Sequence, residues 1–419
     1  MIRTIAPGVA RGSVRVPGSK SYTHRALALA FVAGAPLTIA HPLDAEDTRA
    51  TAAALQRLGA RVTCWASAWH VRPPSGSSTR RTTIDCRESG TTLRLMTALA
   101  ATEHRPVRFV GRGRLPLRPI SALLRPLESL GARIRYEANE YALPYTIEGP
   151  IQPGRVRVAT EDSSQPVSGL LLALARLEGV SELAFEGPIA SRPYIDATVA
   201  WMRSRGVRLR ARGRGFEVRG PAPRRGGRVE IPADASSAAY AWAAAAVSGG
   251  AVTVGRYDER WPQADARVLD VLQRAGVMVD RRGGGVRTTG RARRGIRGDL
   301  TDAPDLVPLV ACLAVTIPGA RSVLRVPPNL RHKESDRLAG TIDLVRAFGG
   351  SAQARSGSLR IVGASELGPI ALTDLSDHRM VMSAAIGALA ATGPSRIGRS
   401  EVVRKSFPGF WRMLEALLS

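Results

Sequence analysis

The sequence predicts an α/β protein assembled from six βαβαββ-type repeats of about 70 residues each. Three observations carry this. Six segments share one plan: a short strand, a turn rich in Ser, Thr, Asp or Gly, a helix of small residues, and another strand. With Ser21, Gly90, Ser163, Ser236, Asp305 and Asp377 taken as equivalent points, the steps between them are 69, 73, 73, 69 and 72 residues. Between the segments lie second stretches whose apolar residues recur at helical spacing.

In chain order the segments are SVRVPGSKSYTHRALALAFVAGAPLTI, TTIDCRESGTTLRLMTALA, VRVATEDSSQPVSGLLLALARLEGVSELAF, VEIPADASSAAYAWAAAAVSGGAVTV, IRGDLTDAPDLVPLVACLAVTIPGARSVLRV and IALTDLSDHRMVMSAAIGALAATGPSRI. Each begins as a strand, breaks at a polar turn and continues as an Ala- and Leu-rich helix. Most then turn at Gly into a further strand. The second helices are DTRATAAALQRLGARV, PISALLRPLESLGARI, YIDATVAWMRSRGVRL and GTIDLVRAFGGSA, most of them ending near Gly. Each repeat thus puts a helix N-terminus directly after a polar turn, where free N–H groups and the helix dipole favour anions.

At 419 residues the chain has room for two or three domains and a substantial core. No stretch approaches the ~20 apolar residues that span a bilayer. The N-terminal segment also lacks a signal-peptide apolar run. Cys64, Cys86 and Cys312 lie far apart and show no metal-ligand spacing. The expectation is a cytoplasmic protein that neither enters a membrane nor carries a disulfide framework. The net charge of +25 invites a nucleic-acid reading. Against it, the arginines are spread from Arg3 to Arg412, and aromatics at 5% leave little for a base-stacking platform. A basic cleft for small anions suits the same charge. Of the 60 basic residues only three are lysines: Lys20, Lys333 and Lys405. Where a chain otherwise uses Arg, a retained Lys marks a position that requires a compact ammonium.

The motif VPGSKSYTHR (16–25) is a turn ahead of a helix, with Ser21 and Arg25 one helical turn apart. It is not a P-loop, because Lys20 does not follow Gly. With ESGTTLR (88–94), GRGRLPLRPI (111–120), EDSSQ (161–165), SRPYID (191–196), NLRHKESDR (329–337), DHRM (377–380) and KSFPGF (405–410), the chain resembles the 5-enolpyruvylshikimate-3-phosphate synthases over nearly its whole length. All three lysines fall inside these motifs.

The resemblance implies a two-domain enolpyruvyl-transferase fold with three repeats per domain and the active site in the interdomain cleft. Residues 1–18 with 235–419 would carry the acid and base and part of the phosphoenolpyruvate clamp. Residues 19–234 would carry most contacts to 3-phosphoshikimate. Lys20, Ser21, Arg25, Ser163, Ser164, Gln165, Ser191, Tyr194, Asp305, Asn329 and Lys333 would bind 3-phosphoshikimate. Lys20, Gly90, Thr91, Arg114, Gln165, Arg337, Arg379 and Lys405 would bind phosphoenolpyruvate. Asp305 would be the general base, Glu334 the proton donor and acceptor at the enol carbon, and Lys20 a further catalytic residue. A helix beginning near Glu334 would set Arg337 one turn away.

The implied reaction attaches a hydroxyl to C2 of phosphoenolpyruvate, gives a tetrahedral adduct and expels phosphate. It needs an acid and a base acting in opposite senses across a short distance. It also needs several fixed cations to hold two multiply anionic substrates. No cofactor or metal is implied, and the expected state is a monomer; glyphosate is the inhibitor to test. The related transferases acting on a UDP-amino sugar carry Lys-Asn where this chain has Lys20-Ser21. Three departures from the family pattern stand out: Glu88, Leu95 and Pro166. If Glu88 pointed inward, its charge would weaken phosphoenolpyruvate binding.

Overall fold

The computed structural model describes every residue except 75, 77, 78, 282 and 283. The helices are α1 Lys20–Ala33, α2 Glu46–Arg57, α3 Gly90–Ala100, α4 Ser121–Ser129, α5 Gln165–Leu174, α6 Arg192–Ser204, α7 Ala235–Ser248, α8 Val268–Arg274, α9 Val307–Val315, α10 Arg337–Ala347, α11 His378–Ala388 and α12 Phe410–Leu418. The chain forms two compact units, Lys20–Ile231 and Met1–Ser19 with Pro232–Ser419.

The first unit has three four-stranded sheets among the described residues. In one, Thr82–Asp85 and Val107–Val110 run parallel on either side of α3, and Tyr145–Glu148 and Arg133–Tyr136 add antiparallel. The second repeats this with Arg155–Ala159, Gly179–Glu186, Gly215–Gly220 and Arg208–Ala211. These are the βαβαββ repeats read from the sequence. Among the described residues, the second unit holds two further four-stranded sheets and one of three strands.

Two strands change places relative to the sequence reading. The sequence pattern places SVRV as the leading strand of the first repeat and VEI as that of the fourth. Instead Arg11–Val14 pairs in parallel with Ala251–Gly255, beyond α7, and Gly227–Glu230 pairs in parallel with Leu37–Ala40, beyond α1. The chain passes between units at Ser19/Lys20 and Ile231/Pro232, in each case between a leading strand and its own helix. Each stranded edge then satisfies its backbone groups on the other repeat's sheet. The sixth repeat closes similarly, with Arg3–Ile5 antiparallel to Ser395–Ile397.

The helix that follows each polar turn is buried on nearly every side, as its small residues allow. All of α7 and α9 is buried. Gly169 lets α5 lie so close to α3 that a Cβ there would stand 2.9 Å from the Arg94 carbonyl oxygen. The second helices carry one apolar face each and cover the outside. The motifs around Lys20, Gly90, Ser163 and Asp377 therefore sit at the N-termini of inner helices, and those around Ser191 and Arg337 at the N-termini of outer ones.

Candidate active site

In the unit Lys20–Ile231, Lys20 opens α1, and its Nζ donates to Asp47 Oδ2 at 3.3 Å, in the first turn of α2. A buried chain of hydroxyls ties these helix starts to α3. His24 Nδ1 pairs with Thr51 Oγ1 at 2.7 Å, Thr51 with Thr92 Oγ1 at 2.7 Å, and Thr92 reaches both Asp47 O and the Ser89 cap. Thr91 accepts from Gln165 Nε2 at 3.0 Å, which brings the start of α5 to that of α3. Gln165 Oε1 is buried without a hydrogen-bond partner among the described residues. Ser163 Oγ accepts from the Gln165 N–H, and Ser164 is buried beside it. Ser191 sits ahead of α6 with φ 54°, a left-handed backbone that a non-glycine residue adopts at a cost. Such strain is characteristic of functional positions.

In the unit Met1–Ser19 with Pro232–Ser419, the centre is Arg337, 1% exposed at the start of α10. Its Nε donates to Asp377 Oδ2 at 2.8 Å, Nη1 to Asp305 Oδ1 at 2.5 Å and Nη2 to Glu334 Oε2 at 2.8 Å. The second oxygen of Asp305 accepts from Arg379 Nη2 at 2.9 Å. Asp377 caps α11, accepting from the Arg379 N–H at 2.8 Å. Burial works against the charge on Arg337, but Asp377, Glu334 and Asp305 together hold its pKa above the ordinary range. Arg379 is buried too and is likewise held charged, chiefly by Asp305. One largely buried guanidinium thus bridges the carboxyls of Asp305 and Glu334, where charge is poorly screened.

A family model for EPSP synthase (3-phosphoshikimate 1-carboxyvinyltransferase) matches residues 6–414. The chain belongs to the EPSP synthase family. Proteins named 3-phosphoshikimate 1-carboxyvinyltransferase are 38% identical in Syntrophobacter fumaroxidans, over all of both chains, and 38% identical in Thermococcus kodakarensis, over 97% of this chain and 98% of that one. The fold is shared with EPSP synthase from Acinetobacter baumannii (TM-score 0.80, 23% identity, 100% of this chain and 98% of that one). It is shared also with the enolpyruvyl transferase NikO from Streptomyces tendae (TM-score 0.79, 18% identity, 99% and 97%).

Within this EPSP synthase fold, several residues picked out from sequence stand otherwise than expected. Arg114 is exposed, ahead of the short 3-10 turn Leu115–Leu117. The arginine packed on Gly90 is Arg118, four residues on: a Cβ at Gly90 would stand 2.6 Å from Arg118 Nη1. Buried Arg94 holds that loop in place, donating to Gly90 O at 3.2 Å and to Pro119 O at 2.5 Å. Arg118 lies in the same motif as Arg114, and spacing alone did not distinguish them. Glu334 is not in a helix. It follows the 3-10 turn Pro328–His332, and α10 starts only at Arg337, capped by Asp336, which accepts from Ala339 N. Glu334 and Arg337 meet nonetheless, across the cap rather than along a helix.

Arg25 is spent on the protein. It donates to Thr198 Oγ1, Ser168 Oγ and the carbonyls of Ser21 and Tyr194, fixing α1 against α5 and α6. Tyr194 is half-buried beneath it. Asn329 is buried in the Pro328–His332 turn, Lys333 half-buried just after it, and Lys405 buried at the end of the 3-10 turn Ser400–Lys405. Glu88 is exposed and lies against Gly113, so its charge faces the surface loop. Pro166 occupies the first turn of α5, where its missing N–H costs nothing, and Leu95 is core. Asp47 and Asp377, both unremarked in the sequence reading as site residues, prove to be the partners of Lys20 and Arg337. The signal for each was an acid in the first turn or cap of a helix. It marks ordinary caps equally well.

Proposed function

We propose that Asp305 is the base and Glu334 the acid of the enolpyruvyl transfer from phosphoenolpyruvate to the 5-hydroxyl of 3-phosphoshikimate. The observation that carries this reading is the shared Arg337, which fixes both carboxyls at its two Nη atoms. In the forward step the 5-hydroxyl gives its proton to Asp305 as its oxygen bonds C2. C3 takes a proton from Glu334, and the tetrahedral adduct forms. Glu334 then removes a proton from C3 while the C2–O bond to phosphate breaks and the leaving phosphate takes the proton held by Asp305, yielding the enol ether and inorganic phosphate. Arg337, Arg379, Lys405, Lys20, Arg118, Gly90, Thr91 and Gln165 hold the carboxylate and phosphate of phosphoenolpyruvate. Ser21, Ser163, Ser164, Gln165, Ser191, Tyr194, Asn329 and Lys333 bind 3-phosphoshikimate; Arg25 positions Ser21 and Tyr194.

The reading extends to a monomeric cytoplasmic enzyme, with glyphosate competing for the phosphoenolpyruvate site. No helix among the described residues is long and apolar enough to cross a membrane. The test is phosphate release from purified protein with both substrates, beside a UDP-N-acetylglucosamine control and Lys20→Ala. Release that requires 3-phosphoshikimate and is lost in the variant supports the reading. Folded protein that releases none overturns it.

A further inference from the structure

Asp265 is a buried carboxyl that the acid–base chemistry does not use. It lies in the 3-10 turn Ala264–Arg267, 1% exposed, packed against α7. Its Oδ2 accepts a short hydrogen bond from Ser236 Oγ in the first turn of α7. Its Oδ1 has no hydrogen-bond partner among the described residues. The charged and titratable groups around it come from every neighbouring element: Asp305 ahead of α9, Arg379 in α11, Asp234 at the cap of α7, and the Tyr257 phenol. A carboxyl shut away from water with an orphan oxygen beside a second carboxylate is the arrangement in which one group keeps a proton.

We propose that Asp265 is a positioning residue for the transfer, neutral while it holds a proton and strengthening Asp305 as a base once it releases that proton to solvent. The proposal rests on Asp305 being the base. Burial and Asp305 push Asp265 up to about 7, against the pull of Arg379 and the Ser236 hydrogen bond. Below that pH, Asp305 faces two guanidiniums and a neutral neighbour, which makes it a weak proton acceptor. Above it, a new negative charge raises the proton affinity of Asp305 toward the working pH, where general-base catalysis is most effective.

The experiment is kcat at saturating substrates from about pH 5.5 to about 9, for the wild type, Asp265→Asn and Ser236→Ala, with melting curves to verify folding. The wild type should rise roughly threefold, with a midpoint near 7. Asp265→Asn should stay at the low-pH level throughout. Ser236→Ala, which removes a bond favouring the ionised form, should carry the midpoint to higher pH, and it decides the matter alone if Asp265→Asn does not fold. A rise that persists in Asp265→Asn at the same midpoint, or a midpoint unmoved by Ser236→Ala, overturns the proposal. Asp305→Asn separates the two layers. If it keeps wild-type kcat, the base assignment itself fails. If it is inactive while the rise persists in Asp265→Asn, only the role of Asp265 fails.

Discussion

Arg337 donates from Nε to Asp377 Oδ2 at 2.8 Å, and both side chains are removed from water. Asp377 also caps α11, so one carboxylate anchors the guanidinium and starts the helix that carries Arg379. Deleting it removes the most buried counter-charge of Arg337, leaving Asp305 and Glu334, and with it the cap of α11. Asp377→Ala should cost about 3–5 kcal/mol of stability in urea unfolding. Asp377→Asn, which keeps a capping oxygen, should cost clearly less. A loss in the Ala variant below about 1 kcal/mol would mean the pair is dispensable.

Arg118, not Arg114, stands against Gly90. Arg118→Gln should raise KM for phosphoenolpyruvate roughly 30-fold, equivalent to about 2 kcal/mol for a lost charge-assisted contact. Arg114→Gln, on an exposed turn, should change it less than about twofold. Steady-state kinetics on both variants decide; the reverse order would restore Arg114 to the clamp.

Ser191 pays for its left-handed backbone only if its hydroxyl or its position is used. Ser191→Gly should gain about 1 kcal/mol in stability and weaken 3-phosphoshikimate binding, read by calorimetry. A glycine variant that binds as tightly as the wild type would remove Ser191 from the substrate contacts.

His24 is fully buried, and burial, then Lys20 and Arg25, lower its pKa well below 6.5. Folding thus holds it neutral while the unfolded chain protonates it near ~6.5. The sign follows from linkage: its contribution is present above ~6.5 and is lost as pH falls, because the unfolded state binds the extra proton. His24→Gln, uncharged and able to face Thr51, should flatten the fall in unfolding free energy between about pH 6.5 and 5. An unchanged acid slope would assign that loss to other groups.

The six repeats were legible because small-residue helices after polar turns recur at an even step, and that pattern survived into six sheets. The resemblance pointed to the motif lysines and to the acids Asp305 and Glu334. Arg114 and Arg118 could not be told apart, since both lie in one Gly-, Arg- and Pro-rich loop whose path is set by Arg94 gripping Gly90 O and Pro119 O. Asp265 gave no sequence signal, because an acid in a short turn looks solvated until its neighbours are known.

The sequence by itself determined the local plan: which stretches are strands, which helices are buried all round, and where each polar turn meets a helix N-terminus. These follow from side-chain size and periodicity within a few residues of chain. Tertiary structure alone decided which strand completes which sheet and which acid faces which guanidinium. Arg11–Val14 crosses to Ala251–Gly255, and Arg337 gathers Asp305 and Asp377 from two other segments. Those pairings join residues tens to hundreds of positions apart, and only the packed inner helices bring such groups within hydrogen-bond reach.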